Sequence, residues 1–309
     1  MNVVACWKTM NDGAEVYVKK WFDETKQPKA IVQLAHGMAE HIERYDAFAQ
    51  FLVENDIFVY GNDHRGHGKT GEKAGIHGYF ADVNGFERVV EDLFEISQSI
   101  RSDYANVPLF LMGHSMGSFL ARRYIQKYSD LIHGVILSGT GGNPGLAGKI
   151  GKYIAKRQMK RFGSKTPSDT LNKLIFGSYN KGFESNTGFE WLTRDQVEVH
   201  KYMNDPYCGF VCTSGFFYDL MNGLEVIHLD SEIQRIRKDL PMLIFSGDQD
   251  PVGAKTKGLV KTIQQYKNNG ITNIDYTFYP EGRHEMLNEL NRDEVYKDVL
   301  NWIQQQIIE

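Results

Sequence analysis

An apolar run that stops on a Gly-x-Ser-x-Gly pattern constrains the fold of this chain more than any other feature. Residues 109–112 are Leu-Phe-Leu-Met, the pattern occupies 113–117, and a helical pattern follows directly. A buried strand must therefore turn sharply into a helix, which the small residues Gly113 and Gly117 allow. Such a turn pushes Ser115 outward at its tip. The context favours a nucleophile elbow with Ser115 as the nucleophile over an ordinary glycine-rich turn.

The backbone near this serine offers two candidate donors for an oxyanion. The Met116 N–H would lie in the first helical turn, where unpaired donors and the helix dipole favour negative charge. A second donor is expected from an early strand-to-helix loop. Residues 36–41, His-Gly-Met-Ala-Glu-His, follow the apolar strand pattern at 30–35. We therefore predict that the N–H groups of Met38 and Met116 form the oxyanion hole.

Composition and charge exclude several classes of function. The chain has 309 residues and a formal net charge of −4, so it carries no overall basic field for binding nucleic acid. Three scattered cysteines are too few for a disulfide framework, which favours a reducing compartment. No apolar run reaches membrane-spanning length, and the N-terminus lacks the pattern of a secretory signal. We predict a protein that is made and kept in the cytoplasm.

Strand and helix patterns alternate over most of the chain. Residues 5–22 alternate apolar and polar side chains around Asn-Asp-Gly at 11–13, which predicts a hairpin at a sheet edge. Apolar strand patterns then begin at residues 30, 57, 109, 135, 242 and 274, with helical patterns between most of them. This order predicts an α/β fold with a mostly parallel central sheet and helices on both faces.

The alternation breaks between residues 140 and 237, where helical pieces occur without an apolar strand run. We predict a core formed by residues 1–139 and 238–309, with residues 140–237 inserted as a helical cap, or lid. Aromatic side chains in the cap would either line an apolar pocket over Ser115 or attach the cap to the core. They are Phe162, Phe176, Tyr179, Phe183, Phe189, Trp191, Tyr202, Tyr207, Phe210, Phe216, Phe217 and Tyr218.

A basic segment without any acidic residue lies at the start of the cap. Its cations alternate with apolar side chains, a pattern that fits either transient contact with an anionic lipid surface or a solvated helix face. The sequence leaves both interpretations open. The cations are Lys149, Lys152, Lys156, Arg157, Lys160, Arg161 and Lys165.

A serine hydroxyl needs a base in reach and a carboxylate that orients the base. On sheets of this type the order along the chain is serine, acid, histidine. Asp248 and Asp250 both follow the strand pattern that begins at 242, and His284 alone among the ten histidines lies beyond them. We choose Asp250, because Gly247 and two further residues carry the chain over the strand end before it. Asp248 is expected to shape the turn.

Histidines with an aspartate at 63–68, Asp-His-Arg-Gly-His-Gly, suggest a metal site at first sight. No second cluster of ligands completes such a site, and glycine with turn-forming aspartate suits a structured loop better. We therefore predict no metal and no cofactor.

Together these residues resemble the α/β-hydrolase superfamily, and within it the monoacylglycerol lipase and lysophospholipase group of serine hydrolases, which is close to the serine aminopeptidase-like group. The resemblance runs through residues 36–41, 63–68, 113–117, 247–250 and 282–284. It implies an α/β-hydrolase fold and the same roles for Ser115, Asp250, His284 and the two oxyanion donors. Lys69-Thr70 departs from the pattern of many relatives in a structural loop. The cap, which decides the substrate in such enzymes, is also the region that varies most.

We expect a cofactor-independent serine hydrolase that cleaves a small acyl ester or a single-chain lipid ester, such as a monoacylglycerol or a lysophospholipid. Two alternatives stay open. One is an aminopeptidase or amidase on the same site, in which cap carboxylates bind a free amine; the candidates are Glu184, Glu190, Asp195 and Glu198. The other is a non-catalytic binding protein on a hydrolase scaffold.

Overall fold

An eight-stranded sheet with helices on both faces organises the chain in the computed structural model, which describes residues 1–184 and 186–308. The strand order is β1-β2-β4-β3-β5-β6-β7-β8, and all neighbours from β4 to β8 pair in parallel. The predicted α/β-hydrolase fold is confirmed. The strands are β1 (Asn2–Thr9), β2 (Glu15–Phe22), β3 (Ala30–Ala35), β4 (Ile57–Asn62), β5 (Leu109–His114), β6 (Gly134–Ser138), β7 (Met242–Gly247) and β8 (Ile274–Tyr279).

The N-terminal hairpin lies at one edge of this sheet, as its alternating pattern predicts. β1 pairs antiparallel with β2, and Thr9 lies opposite Glu15 at the turn. β2 in turn pairs antiparallel with β4, with Val18 opposite Asn62.

The helices agree with the sequence patterns in most places. The sequence pattern after residue 253 predicts a helix over residues 254–267, but the helix begins at Lys257, because Ala254, Lys255 and Thr256 all have positive φ angles. A short helix, α2, follows the loop at 63–68 and was not predicted, since glycines at its first and fourth positions weaken its helical signal. The helices are α1 (Asp46–Glu54), α2 (Gly68–Ala74), α3 (Gly85–Asp103), α4 (Met116–Tyr128), α5 (Gly145–Phe162), α6 (Asp169–Phe176), α7 (Gln196–Asn204), α8 (Ser214–Ile227), α9 (Asp230–Ile233), α10 (Lys257–Asn268) and α11 (Arg292–Ile308). None of these described helices combines the length and the apolar character needed to cross a bilayer.

Each face of the sheet has its own apolar core. Successive strand residues point to opposite faces, so Ile31 belongs to the cluster that contains α3 and α4. Its neighbour Val32 belongs to the cluster that contains α1 and α11. Both faces are thereby closed to water, and the carboxyl edge of the parallel strands is left for the loops that carry polar groups.

Helices α5 to α9 lie between β6 and β7, in the interval that the sequence assigns to the cap. Helix α8 packs against α3 and α4, and its side chains Phe216, Phe217 and Leu220 belong to the same apolar core as theirs. These two phenylalanines therefore attach the cap to the core. A smaller cluster of Trp191, Leu192 and Tyr202 lies elsewhere in the cap.

Candidate active site

Ser115 lies at a sharp turn between β5 and α4. Its φ and ψ are 52° and −119°, a conformation that non-glycine residues rarely adopt, and its N–H donates to the Ser138 carbonyl at 2.9 Å. A Cβ atom on Gly113 would overlap the backbone of Gly117. One on Gly117 would overlap the Ala35 carbonyl at the end of β3. The two glycines therefore allow the turn and also bring it against the neighbouring strand.

The loop after β3 lies beside this turn. Met38 and Met116 line the same cavity as Ser115, and Met116 opens α4. The loop is held by Glu40, whose Oε1 accepts the Gly37 N–H at 2.5 Å and the Tyr45 hydroxyl at 2.9 Å. The role of the two methionine N–H groups as oxyanion donors stays a prediction.

The structure brings His284 and Asp250 together at the carboxyl edge of the sheet. The ring Nδ1 of His284 lies 3.0 Å from Asp250 Oδ2, and both side chains are buried. Asp250 also accepts hydrogen bonds from the Ser246 hydroxyl and the Val252 N–H, each at 2.8 Å. The carboxylate is thus fixed by three donors, with one oxygen facing the imidazole.

The competing acid, Asp248, does not contact His284. It is partly exposed, and its Oδ1 accepts the Gln249 side-chain amide and the Glu281 N–H at 3.0 and 2.9 Å. These bonds join the turn after β7 to the loop after β8.

Opposing influences act on the pKa of His284. Burial, the largest, disfavours the imidazolium, but the charge and the hydrogen bond of Asp250, with smaller contributions from Glu285 and Glu40, outweigh it and raise the pKa above its ordinary value. His284 and Ser115 line the same cavity. Within the described residues, however, no direct hydrogen bond joins the Ser115 hydroxyl to the His284 ring. Such contacts often tighten only when a substrate is bound.

A mostly buried arginine, which no pattern in the sequence indicated, links the two loops that flank the site. Arg44 Nη1 donates to Glu40 Oε2 at 2.6 Å and to Glu285 Oε1 at 2.7 Å. Its Nη2 donates to the other oxygen of Glu285, also at 2.7 Å. Burial alone would raise the pKa of Glu285, but Arg44, His114 and Asn288 lower it to about 2. The ion pairs therefore connect the loop after β3 to the residue that follows His284.

The cap contacts both of these loops. The Tyr202 hydroxyl and the Gly209 N–H donate to the Ala39 carbonyl at 3.0 and 2.9 Å. On the other side, the Glu285 N–H donates to the Leu192 carbonyl at 2.7 Å. The His284 ring lies 5.0 Å from the Trp191 ring, centroid to centroid. Only the folded chain reveals these contacts, because the cap residues are distant in sequence.

The loop at 63–68 is a structured turn. The two oxygens of Asp63 accept the N–H groups of Ile42 and Lys69, at 2.9 and 2.7 Å. His64 donates its N–H to His36 Nε2 at 2.9 Å, and Arg65 forms ion pairs of 2.7 Å with Asp12 and Asp92. These contacts hold the loop against β3, the β1–β2 hairpin and α3. Most polar atoms of Asp63, His64 and Arg65 take part in these hydrogen bonds and ion pairs.

Of the residues that the structure describes, one group has the ligand types and proximity of a metal site: His41, Asp205 and Cys208, with ligand atoms within 4.8 Å of one another. His41 Nε2 and Asp205 Oδ2 are already hydrogen-bonded at 2.8 Å. Burial raises the pKa of the Cys208 thiol above its ordinary value. The group serves to join the loop after β3 to the cap.

A cavity of about 1220 Å³ opens beside Ser115. Its walls come from the loop after β3, the start of α4, the loop after β6, the cap and α10. Six of the cap aromatics line it, while Phe162, Phe183, Tyr207, Phe216, Phe217 and Tyr218 do not. The six are Phe176, Tyr179, Phe189, Trp191, Tyr202 and Phe210.

We predict that Arg44→Met destabilises the protein by about 3–5 kcal/mol, because it leaves the buried carboxylates Glu40 and Glu285 without their counter-ion. Urea unfolding monitored by intrinsic fluorescence measures the change. Lys201→Met is the matched control: Lys201 is exposed where it pairs with Glu198, and we expect a change within about 0.5 kcal/mol. Equal stabilities for Arg44→Met and the wild type would contradict the assigned role.

The chain is similar in sequence to known proteins over most of its length. The sequence model of the family described as "Serine aminopeptidase, S33" matches residues 26–291. The monoglyceride lipase of Rattus norvegicus is 27% identical over 294 residues, which cover 91% of this chain and 86% of the relative. A putative monoglyceride lipase of Schizosaccharomyces pombe is 30% identical over 303 residues, covering 94% and 71%.

A solved structure is similar over the whole chain. It is a highly thermostable carboxyl esterase from Bacillus coagulans in complex with glycerol, 27% identical, with a TM-score of 0.91 and 99% coverage of both chains. The fold, the match over most of the chain and these relatives confirm the resemblance to the α/β-hydrolase superfamily and the prediction of an enzyme. This chain belongs to the serine aminopeptidase S33 family of the α/β-hydrolase superfamily, and it is a serine hydrolase similar to monoglyceride lipases and carboxyl esterases.

Proposed function

We propose that this protein hydrolyses the ester bond of single-chain lipids, such as monoacylglycerols or lysophospholipids, through an acyl-enzyme on Ser115. The observation that carries the proposal is the large, mostly apolar cavity onto which Ser115 and His284 both open. This volume has room for an acyl chain, with its carbonyl at the serine. The names of the relatives, monoglyceride lipase and carboxyl esterase, support the same class of substrate.

In the proposed mechanism, Ser115 Oγ attacks the ester carbonyl carbon while His284 Nε2 takes the hydroxyl proton. Asp250 orients the ring through Nδ1 and stabilises the imidazolium. The N–H groups of Met38 and Met116 hold the negative charge on the carbonyl oxygen. When the tetrahedral intermediate collapses, the alcohol leaves with the proton from His284. A water molecule then attacks the carbonyl carbon of the acyl-enzyme and gives a proton to His284. The carboxylic acid is released when His284 returns this proton to Ser115 Oγ.

An aminopeptidase would need a carboxylate in the cavity to bind a free amine. None of the four cap carboxylates considered for that role lines the cavity formed by the described residues. Asp195 pairs with Arg292, Glu198 pairs with Lys201, and Glu190 accepts the N–H groups of Asn186 and Thr187. The cavity carboxylates Glu40 and Glu285 are both bound by Arg44. This arrangement favours ester over peptide substrates.

The three free cysteines, of which Cys212 is buried and Cys6 exposed, suit a reducing compartment. We retain the cytoplasm as the proposed location.

The proposal is tested by hydrolysis of p-nitrophenyl esters from acetate to palmitate, a monoacylglycerol, lysophosphatidylcholine and an aminoacyl anilide. We expect activity on medium and long acyl chains that Ser115→Ala lowers by roughly a million-fold in kcat. Activity confined to the anilide would move the enzyme to the peptidase class. If a fluorophosphonate does not label Ser115 in the folded protein, the proposed mechanism is wrong.

The two aspartates after β7 provide a matched pair in the same assays. Asp250→Asn should lower kcat by roughly ten-thousand-fold, because it disturbs the tautomer and the charge stabilisation of His284. Asp248→Asn should leave kcat within a few-fold. A larger loss from Asp248→Asn would show that the wrong acid was chosen.

The pH dependence of kcat/KM provides a separate prediction. His284 must be neutral to take the proton, and its pKa is raised above 6.5 because Asp250 outweighs the effect of burial. We therefore expect kcat/KM to fall as the pH decreases, with a midpoint above 6.5 on the acid side. In Asp250→Asn the midpoint of the residual activity should move to lower pH. A wild-type midpoint below 6.5 would contradict this assignment.

A lipid substrate also raises the question of how the enzyme meets a lipid surface. On α5 and α6 the side chains Leu146, Tyr153, Phe162 and Leu174 are each more than half exposed. Of the basic residues nearby, Lys152 pairs with Glu225 and Lys165 with Asp82, while the other lysines of α5 have no ion pair among the described residues. Exposed apolar side chains flanked by unpaired cations suit transient contact with an anionic surface.

We expect the protein to sediment with vesicles that contain phosphatidylserine at low salt, and to be released as salt increases. Lys156→Glu with Lys160→Glu should abolish sedimentation, whereas Lys238→Glu with Lys297→Glu, outside the cap helices, should retain most of it. No binding at low salt would leave this segment as a solvated helix face.

A further inference from the structure

A buried arginine without an acidic partner lies behind one wall of the cavity. Arg122, on α4, is fully buried. Its Nε donates to the Tyr266 hydroxyl at 3.0 Å and its Nη1 to the Gly141 carbonyl at 2.8 Å, but Nη2 has no partner. No carboxylate in the described part of the chain forms an ion pair with it. Because an uncompensated charge is costly to bury, this site needs a negative group.

Other unpaired polar atoms lie in the same region. Thr262, on α10, and His228, at the end of α8, both line the cavity, and both are more than nine-tenths buried. The Thr262 hydroxyl and His228 Nε2 have no hydrogen-bond partner. His228 Nδ1 binds the Leu224 carbonyl at 2.8 Å, and burial together with Arg122 lowers the pKa of the ring to about 3. The neutral ring therefore accepts through Nε2, which suits a hydroxyl or a water beside an anion.

Helix α10 adds positive potential to this part of the cavity. Lys257 and Gly258, in its first turn, line the cavity, and so does Lys261 one turn later. Neither lysine has an ion pair among the described residues. Gly258 approaches Gly142 so closely that a Cβ atom on Gly142 would lie 2.9 Å from its Cα. The N-terminus of the helix, with its partial positive charge, is thereby held against the loop after β6.

We propose that this region, the basic end of the cavity, binds a carboxylate or phosphate group that the substrate carries at a distance from its ester bond. The basic end is defined by Arg122, Gly142, His228, Lys257, Lys261 and Thr262. Arg122 lies seven residues after Ser115 on α4, or about 10 Å along the helix axis, with the Phe119 ring between them against Gly141. The inference rests on the proposed ester hydrolysis and names the substrate class more closely.

The cavity is therefore asymmetric in charge. At the end near His284 its carboxylates, Glu40 and Glu285, are neutralised by Arg44. At the basic end its cations are not neutralised by any described residue. A substrate with a neutral tail would leave the Thr262 hydroxyl in the cavity wall unpaired, whereas an anionic tail would accept from it and lie in the positive potential of Lys257, Lys261 and the buried Arg122 behind the wall.

The test compares two esters with the same number of carbon atoms, p-nitrophenyl octanoate and the mono-p-nitrophenyl ester of suberic acid. We expect the wild type to prefer the suberate ester by about tenfold or more in kcat/KM at low salt, the size of one or two charge-assisted hydrogen bonds. The preference should decline as salt increases. Faster hydrolysis of the octanoate ester, dependent on Ser115, would overturn the inference while leaving the proposed function intact.

Substitutions at the basic end test whether this region causes the preference for the suberate ester. Thr262→Val, and Lys257→Ala with Lys261→Ala, should each reduce the ratio of kcat/KM for the suberate ester to kcat/KM for the octanoate ester at least threefold. Thr262→Ser and Lys297→Ala, which keep the hydroxyl and remove a distant lysine, are the controls. Arg122 is not substituted, because its hydrogen bonds also join α4 to α10. A preference that survives both sets of changes would overturn the inference.

Binding is also measured without turnover, by titration calorimetry of suberate into Ser115→Ala. Binding that Thr262→Val weakens supports the inference, and absence of binding contradicts it. If neither ester is hydrolysed, this measurement still separates failure of the basic end from failure of the proposed function. If inorganic phosphate stabilises the protein but the enzyme does not prefer the suberate ester, the basic end binds a free anion. That result would overturn the assignment of the substrate.

Discussion

Contact between backbones at the carboxyl edge of the sheet is the constraint on which the rest of the site depends. At Gly117 the elbow meets the end of β3, and at Gly247 the end of β7 meets Gly282 so closely that a Cβ atom would overlap its carbonyl. The first contact places Ser115 beside the loop that carries Met38. The second places the turn that carries Asp250 beside the loop that carries His284. A side chain at either glycine would push apart the two loops that meet there.

Ion pairs and hydrogen bonds then hold in place the loops that these backbone contacts bring together. Arg44 binds carboxylates on both flanking loops, and the cap residues Tyr202 and Leu192 hydrogen-bond to the same two loops. The cap segment near residues 191–209 therefore lines the cavity and also hydrogen-bonds to the two loops that flank Ser115. Helices α5 and α6 differ from this segment, since they leave large apolar side chains exposed to solvent. The cap helices that expose apolar side chains are therefore separate from the cap segment that contacts the loops around Ser115.

Two arginines near the cavity, Arg44 and Arg122, show how similar residues acquire different roles. Arg44 has two carboxylate partners and is a structural counter-ion. Arg122 has a phenol and a carbonyl as partners and retains an unpaired N–H, close to other unpaired polar groups and lysines at one end of the cavity. The balance of charge around each guanidinium, and not burial alone, distinguishes a structural arginine from a candidate binding group.

Local patterns in the sequence determined the sheet, the elbow at Ser115 and the order of candidate serine, acid and histidine. They could do so because apolar strand patterns and turn-forming glycines are properties of short stretches of sequence. They missed α2 and misplaced the start of α10, where tertiary contacts and positive φ angles override propensity. The sequence favoured Asp250 over Asp248, and the tertiary structure shows that Asp250 is the one that contacts His284. Only the tertiary structure decided which six cap aromatics line the cavity. It alone revealed the pairing of Arg44 and the isolation of Arg122. These depend on residues up to 241 positions apart, whose proximity no local pattern encodes.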